Sequence, residues 1–215
     1  MVMLASAREG EELLLLQYLQ SFKPQSHILL AQAATQLGVA DVQWLIVPRH
    51  PQRFNAVAAL VTRLGFSLLR RSQWAQEGVD MPEPADVWLG DSLGEMALYY
   101  GLADLALLGG SFAPMGGQNL IEAAACGCPM VMGPSTFNFT EAADLAETAG
   151  AACRVADMPA AVAQALAWLN APKTLARAAE AGPQFAGAHQ GAAVKTALAI
   201  QALLGKSGSP QSRQP

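Results

Sequence analysis

Gly109-Gly110-Ser111-Phe112-Ala113-Pro114-Met115-Gly116-Gly117-Gln118-Asn119-Leu120-Ile121-Glu122 is the stretch on which the reading of the fold turns. An apolar run, Leu105 to Leu108, enters it, and a helix-like run, Leu120 to Cys126, leaves it. Between them lie four glycines, one proline and no charge. A strand that feeds a glycine-rich turn and then a helix start is where α/β proteins bind phosphate. Backbone N–H groups converge there, and the helix dipole favours an anion.

Working outward, the same alternation of short apolar runs and helical patterns extends to both ends. Upstream, strands are expected at Val2–Ala5, Val42–Val47, Phe66–Leu69, Ala85–Leu89 and Asp104–Leu108. Helices are expected at Leu13–Phe22, Ile28–Leu37 and Pro51–Leu64, and from the Gly90-Asp91-Ser92 turn to about Ala103. Arg70 to Pro84 reads as loop. Downstream come a strand at Pro129–Met132, a helix at Asn138–Thr148 and a strand at Ala151–Val155. An alanine-rich helical region then begins at Asp157, with breaks expected at Pro172 and Pro183. Such an order implies right-handed βαβ units and an α/β fold, an open parallel Rossmann-like sheet flanked by helices. Residues 1–204 form one domain on this reading, and the polar stretch 205–215 reads as a disordered tail. Val2–Ala5 begins so abruptly that the chain is expected to enter in the middle of something larger, with a domain absent before it.

Composition narrows the class. At 52% hydrophobic and 14% charged, the chain can cover a parallel sheet on both faces. A net charge of −4 without a basic block argues against nucleic acid as a partner. No apolar run approaches the ~18–20 residues of a spanning helix. Cys126, Cys128 and Cys153 lack metal or redox spacing and read as free, buried, cytosolic thiols.

In open parallel sheets, ligands bind at the carboxyl ends of the strands. The polar and small residues that stand out all fall there: Ser6, Arg49 and His50, Asp91 to Glu95, Gly109 to Glu122, and Gly133 to Asn138. No Lys or Arg occurs from Ser72 to Cys153, so a phosphate at Gly116-Gly117-Gln118-Asn119 would be held by backbone N–H groups and helix dipole. Arg49, set between prolines, is the cation the fold could bring to it, or else a surface arginine at a strand exit. His50 is either a structural hydrogen-bonder or a ligand contact. Glu122 either completes a capping box with Asn119 or accepts from a ribose diol. Glu95 carries the same ambiguity, with Gly94 letting a ligand approach the backbone. Gly110, Ser111 and Ser6 line the same strand ends. Glu9-Gly10-Glu11-Glu12 reads as an acidic helix start. Zinc-ligand spacing, a nucleophile elbow, a Walker lysine motif and a D-x-D pair are all missing, so no metal is expected.

These residues resemble the 3-deoxy-D-manno-octulosonic acid (Kdo) transferase family. Ala5 to Glu12 is similar to its segment A-S-T-H-E-G-E-E, and Val47 to Phe54 to V-P-R-H-P-E-R-F. Gly90 to Met96 resembles G-D-T-M-G-E-L, Gly109 to Glu122 resembles G-G-S-x-x-x-x-G-G-H-N-x-L-E, and Gly133 to Phe139 resembles G-P-H-T-F-N-F. The resemblance covers roughly residues 1 to 170 and the carboxyl-terminal half of the family alone. Gln118 and Ser135 stand where the family has His, Ala7-Arg8 replace Thr-His, and Ala123 replaces a Pro.

The resemblance implies the C-terminal, donor-binding domain of a GT-B glycosyltransferase. It implies CMP-Kdo as donor and a lipid A precursor as acceptor, reached through the missing domain, in lipopolysaccharide biosynthesis. It also implies work at the cytoplasmic face of the bacterial inner membrane, and a general base in the absent half. The donor carries one phosphate, so neither a cofactor nor a chelating metal is implied. Two further readings stand beside it: a UDP-sugar enzyme of the same architecture, and a catalytically silent nucleotide-binding remnant.

Overall fold

Val2–Ala7 (β1) is six residues long and buried throughout, as the middle strand of a covered parallel sheet must be. The computed structural model describes residues 1–22, 38, 42–74, 85–188, 198, 200, 201 and 203. After β1 come α1 (Glu11–Gln20), β2 (Trp44–Pro48), a 3₁₀ turn at Pro51–Arg53, α2 (Phe54–Arg63) and β3 (Leu68–Arg70). A second 3₁₀ turn (Arg71–Gln73), β4 (Val87–Leu89), α3 (Met96–Leu102) and β5 (Leu105–Leu108) follow. The chain then forms α4 (Ile121–Ala125), β6 (Met130–Met132), α5 (Thr140–Thr148), β7 (Ala152–Arg154), α6 (Met158–Leu169) and α7 (Pro172–Ala188).

All seven expected strands form, and they pair in parallel in the order β3-β4-β2-β1-β5-β6-β7. Leu4 lies beside Ile46 on one side and Leu107 on the other. The period-2 alternation of a strand sends successive side chains to opposite faces. Val2, Leu4, Ile46, Leu105 and Leu107 meet Leu15, Val57 and Val162 of α1, α2 and α6. Met3, Leu45, Ala106 and Met130 meet Tyr99, Ala124, Ala143 and Phe185 of α3, α4, α5 and α7. Fully burying each large side chain of these cores contributes about 1.5–3 kcal/mol.

The strand order puts the topological switch beside β1. The chain builds one arm through β2, β3 and β4, then returns past β1 to start the other arm at β5. The switch-point crevice of this topology thus falls at the carboxyl ends of β1 and β5, the place where open α/β sheets take ligands. The glycine stretch leaves β5 at this point.

Two expectations are corrected. Pro183 does not break the last helix but lies within α7. A proline removes a single helical N–H; Phe185 and Ala186, buried in the core beyond it, hold the helix in place. The break expected at Pro172 does occur: α6 ends at Leu169 and Pro172 opens α7, a position that needs no N–H. Cys126 is exposed, whereas Cys128 is buried; all three cysteines are free. Burial pushes the Cys128 thiol up to about 12 and Cys153 to about 11. The expected helix at Ile28–Leu37, much of the loop ending at Pro84 and the tail at 205–215 lie outside the described residues. Among the described residues no helix is long and apolar enough to cross a membrane.

Candidate functional site at the carboxyl ends of the strands

A buried carboxylate organises the crevice. Glu11, at the start of α1, has no exposed surface. Its Oε2 accepts the N–H of Arg8 at 2.8 Å and of Gly110 at 2.8 Å. Its Oε1 accepts the N–H of Phe112 at 3.0 Å and of Ala113 at 3.2 Å. One side chain thus ties the exit of β1 to the exit of β5. The two strand ends touch closely: a Cβ on Gly109 would fall 2.6 Å from the Ser6 carbonyl oxygen, so only glycine fits. Ser6 itself adopts φ +50, a strained value for a residue with a side chain, where the β1–β2 register shifts.

Beyond this staple the loop is held by its own bonds and by the turn after β6. Gly117 N–H donates to the Gly110 carbonyl at 2.8 Å, and Gly116 N–H to Ser135 Oγ at 3.0 Å. Asn138 donates its backbone N–H to the Gly116 carbonyl at 3.1 Å and its side-chain amide to the Met115 carbonyl at 3.0 Å. Gly116 has φ +79, and a Cβ there would lie 2.3 Å from the Asn138 amide nitrogen. Ser111 is buried; its hydroxyl donates to the Leu108 carbonyl and accepts the Gly133 N–H at 2.8 Å.

The N–H groups of Gly116 and Gly117 are therefore already used. Those of Gln118, Asn119 and Leu120 carry no bond among the described residues. Gln118 Nε2 is buried beside Gly110, also without a partner. The helix that follows, α4, has only five residues, so these loop donors matter more than its dipole. Of the two alternatives for Glu122, the capping box with Asn119 does not form. Asn119 Oδ1 accepts the Ile121 N–H at 3.1 Å, and no hydrogen bond engages the Glu122 carboxylate among the described residues. Glu122 is exposed. Its charge nonetheless reaches Tyr100, whose phenol is raised first by burial and then by Glu122, with Arg49 acting in the opposite sense. Glu122, Tyr100 and Arg49 are electrostatic neighbours across α3.

At the ends of β1 and β2, Arg49 and His50 are both exposed. A guanidinium offers only donors, so His50 Nε2 accepts from Arg8 Nη1, 2.9 Å away. Arg53 pairs with Glu12 at 3.0 Å and with Glu9 at 3.5 Å. Glu12 is fully buried, and burial raises its carboxyl above the usual range despite Arg53.

The ends of β3 and β4 are built differently. Asp91 accepts from Arg70 Nε at 2.7 Å and from the backbone and hydroxyl of Ser72 at 2.8 and 2.7 Å. Burial would raise Asp91, but the bonds from Ser72 and Arg70 outweigh it and lower it. Glu95 accepts from Ser92, from Arg71 at 2.8 Å and from Tyr99 at 3.3 Å. The Ser92 hydroxyl first, then Arg71, hold its carboxyl below the usual range. Arg71 also stands over the Trp74 ring, 5.4 Å from its centroid. Gly94 faces open space.

The structure thus gathers Ser6, Gly110, Ser111, Gly116, Gly117, Gln118, Asn119 and Glu122 around the switch-point crevice, with Arg49 and His50 on the adjacent strand. Gly94 and Glu95 sit on the far arm, in the arginine-paired cluster. Sequence reasoning gave no role to Arg70 and Arg71, read Glu11 only as part of an acidic helix start, met Arg8 only as a departure from the family segment, and named Ser135 and Asn138 only as part of the Gly133–Asn138 turn. Glu11 had one signal: the glutamate lies in the same turn as the β1 exit, where N–H groups need acceptors.

An all-parallel sheet with helices on both faces and a glycine loop at its switch point matches the carboxyl-terminal domain of the GT-B fold. The chain superimposes with a TM-score of 0.71 and 29% identity on the C-terminal CMP-Kdo binding domain of WaaA from Acinetobacter baumannii, covering 86% of this chain and 87% of that one. It is 43% identical over 205 residues to the 3-deoxy-D-manno-octulosonic acid transferase of Bordetella pertussis, 95% of this chain and 45% of the relative. It is 42% identical over 115 residues to the Haemophilus influenzae transferase, 53% of this chain and 26% of the relative. The chain belongs to the 3-deoxy-D-manno-octulosonic acid transferase family and spans less than half the length of these relatives. Anabaena HepE in complex with UDP, with a TM-score of 0.58 and 16% identity, shares the fold. No family model matches the chain.

Proposed function

We propose that this domain binds CMP-Kdo and presents it for transfer of Kdo to a lipid A precursor, as part of a Kdo transferase. The observation that carries the reading is a set of unpartnered donors at the switch point: the N–H groups of Gln118, Asn119 and Leu120, with the buried Gln118 amide beside them. Unpaired donors in a preorganised loop, one of them a buried side-chain amide, suit an anion. They lie in a stretch from Ser72 to Cys153 that has no Lys or Arg. One phosphate, with Arg49 as the nearby cation, fits this better than a pyrophosphate.

In this reading the N–H groups of Gln118 to Leu120 and Arg49 hold the phosphate, and Glu122 accepts from the ribose diol. Gly110, Ser111, Gly116 and Gly117 shape the loop, with Ser6 beside them. An acceptor hydroxyl displaces CMP at the anomeric carbon of Kdo. The bond to the phosphate oxygen breaks, and the loop donors stabilise the charge that develops there. The group that takes the acceptor proton belongs to the part of the relatives that this chain does not span, as do acceptor binding and placement at the inner membrane. The names of the Bordetella and Haemophilus relatives and of the Acinetobacter domain support the donor assignment. Calorimetric titration with CMP and UDP tests it. CMP is expected to bind the tighter, and a preference for UDP overturns the reading.

A further inference from the structure

The arginines at the carboxyl edge fall into two groups. Arg53, Arg70, Arg71 and Arg154 are each paired with a carboxylate: Glu12 at 3.0 Å, Asp91 at 2.7 Å, Glu95 at 2.8 Å and Asp144 at 2.6 Å. Among the described residues, neither Arg8 nor Arg49 is in an ion pair, and both lie at the ends of β1 and β2. Arg8 is half-buried, and its Nε is buried without a hydrogen-bond partner. Its backbone is fixed beside the phosphate loop, because its N–H and that of Gly110 meet on the same Glu11 oxygen at 2.8 Å. Its side chain is aimed along the strand ends by the bond from Nη1 to His50 Nε2 at 2.9 Å. An imidazole that accepts through Nε2 orients the guanidinium without an ion pair, and leaves the rest of the fork free to donate.

A CMP ester of a 2-keto sugar acid carries two separate negative charges, one on the phosphodiester and one on the sugar carboxylate. The ends of β1 and β2 carry two arginines that are in no ion pair among the described residues. We infer that Arg8, oriented by His50, binds the carboxylate of the donor sugar, while Arg49 serves the phosphate. Arg8 is then the residue that distinguishes an acidic sugar from a neutral one, and His50 is a positioning residue. The inference rests on the donor-binding reading above and adds the sugar-acid subsite to it.

Titrations of the wild-type chain and of Arg8→Gln, Arg8→Lys and His50→Ala with CMP and with freshly prepared CMP-Kdo test it, with thermal melts run alongside. The wild type is expected to bind CMP-Kdo more tightly than CMP. Arg8→Gln is expected to lose about tenfold to a hundredfold in CMP-Kdo affinity while CMP affinity stays within about twofold. Arg8→Lys keeps the charge without the fork and falls between. His50→Ala shows a smaller loss of the same kind, again confined to CMP-Kdo. Equal weakening of CMP and CMP-Kdo by Arg8→Gln, or no change in either, overturns the assignment. Failure of the wild type to bind CMP at all is a different result: it removes the donor-binding reading itself, and this inference with it.

Discussion

The two arms of the sheet finish their strand ends in different ways. On the β3–β4 side, Arg70 and Arg71 close on Asp91 and Glu95, and the charges are spent inside the protein. On the β1–β5–β6 side, Glu11 and Ser135 take up backbone N–H groups, and what remains is a short run of loop donors without an acceptor. The first arrangement is electrically closed and suits a scaffold. The second leaves its donors open. A glutamate in the right place on the chain is therefore not enough to mark a binding residue. Glu95 and Glu122 both follow a glycine turn and open a helix, yet Glu95 has three partners and Glu122 has none among the described residues.

The contrast breaks most visibly at Glu11. Glu11→Ala strands four N–H donors at once and is expected to cost about 3–5 kcal/mol in urea unfolding. A cost below about 1 kcal/mol would mean that the loop holds itself. Next comes Asp91→Asn, expected to cost about 1–3 kcal/mol through its bonds to Arg70 and Ser72. Because the folded carboxyl of Asp91 is lowered, its stabilisation is present above the ordinary aspartate range near pH ~4 and is lost as pH falls through the folded value. Glu12 works the other way: its raised carboxyl takes up a proton more readily when folded, so its contribution improves as pH falls. Urea unfolding at neutral and acid pH should show the wild type losing more stability on acidification than Asp91→Asn.

A third, smaller effect sharpens the contrast in function. Glu122→Ala is expected to weaken CMP binding about tenfold, about 1.4 kcal/mol, with an unchanged melting temperature. Glu95→Gln should do the reverse, lowering the melting temperature and leaving CMP affinity alone. Matching profiles for the two variants would dissolve the distinction. The smallest effect is Ser135→Ala, which frees the Gly116 N–H and should weaken CMP binding about threefold, roughly 0.7 kcal/mol.

The seven strands were legible because a strand buried on both faces reads as an unbroken apolar run. Their lateral order was not, since it depends on which crossovers skip a neighbour. Pro183 misled because a local rule about one N–H was overruled by the packing of Phe185 and Ala186. The glycine loop was legible as a turn, but which of its N–H groups stay free was not. That depends on Ser135, 19 residues from Gly116, and on Glu11, 99 residues from Gly110. Glu9, Glu11 and Glu12 read as one acidic cluster and meet three fates: an 85% exposed partner of Arg53, a backbone staple, and a buried ion pair. Nothing within four residues separates them.

The separation between Glu11 and Gly110 also bears on how the domain acquires its site during folding. A hydrogen bond across 99 residues forms only after the first strand and helix have met a strand made much later in the chain. Contacts of such high order come late, because closing the intervening segment costs entropy before any bond rewards it. The loop's shape is therefore a property of the finished sheet. Ligand binding should report on completion of folding, and on little that comes before it.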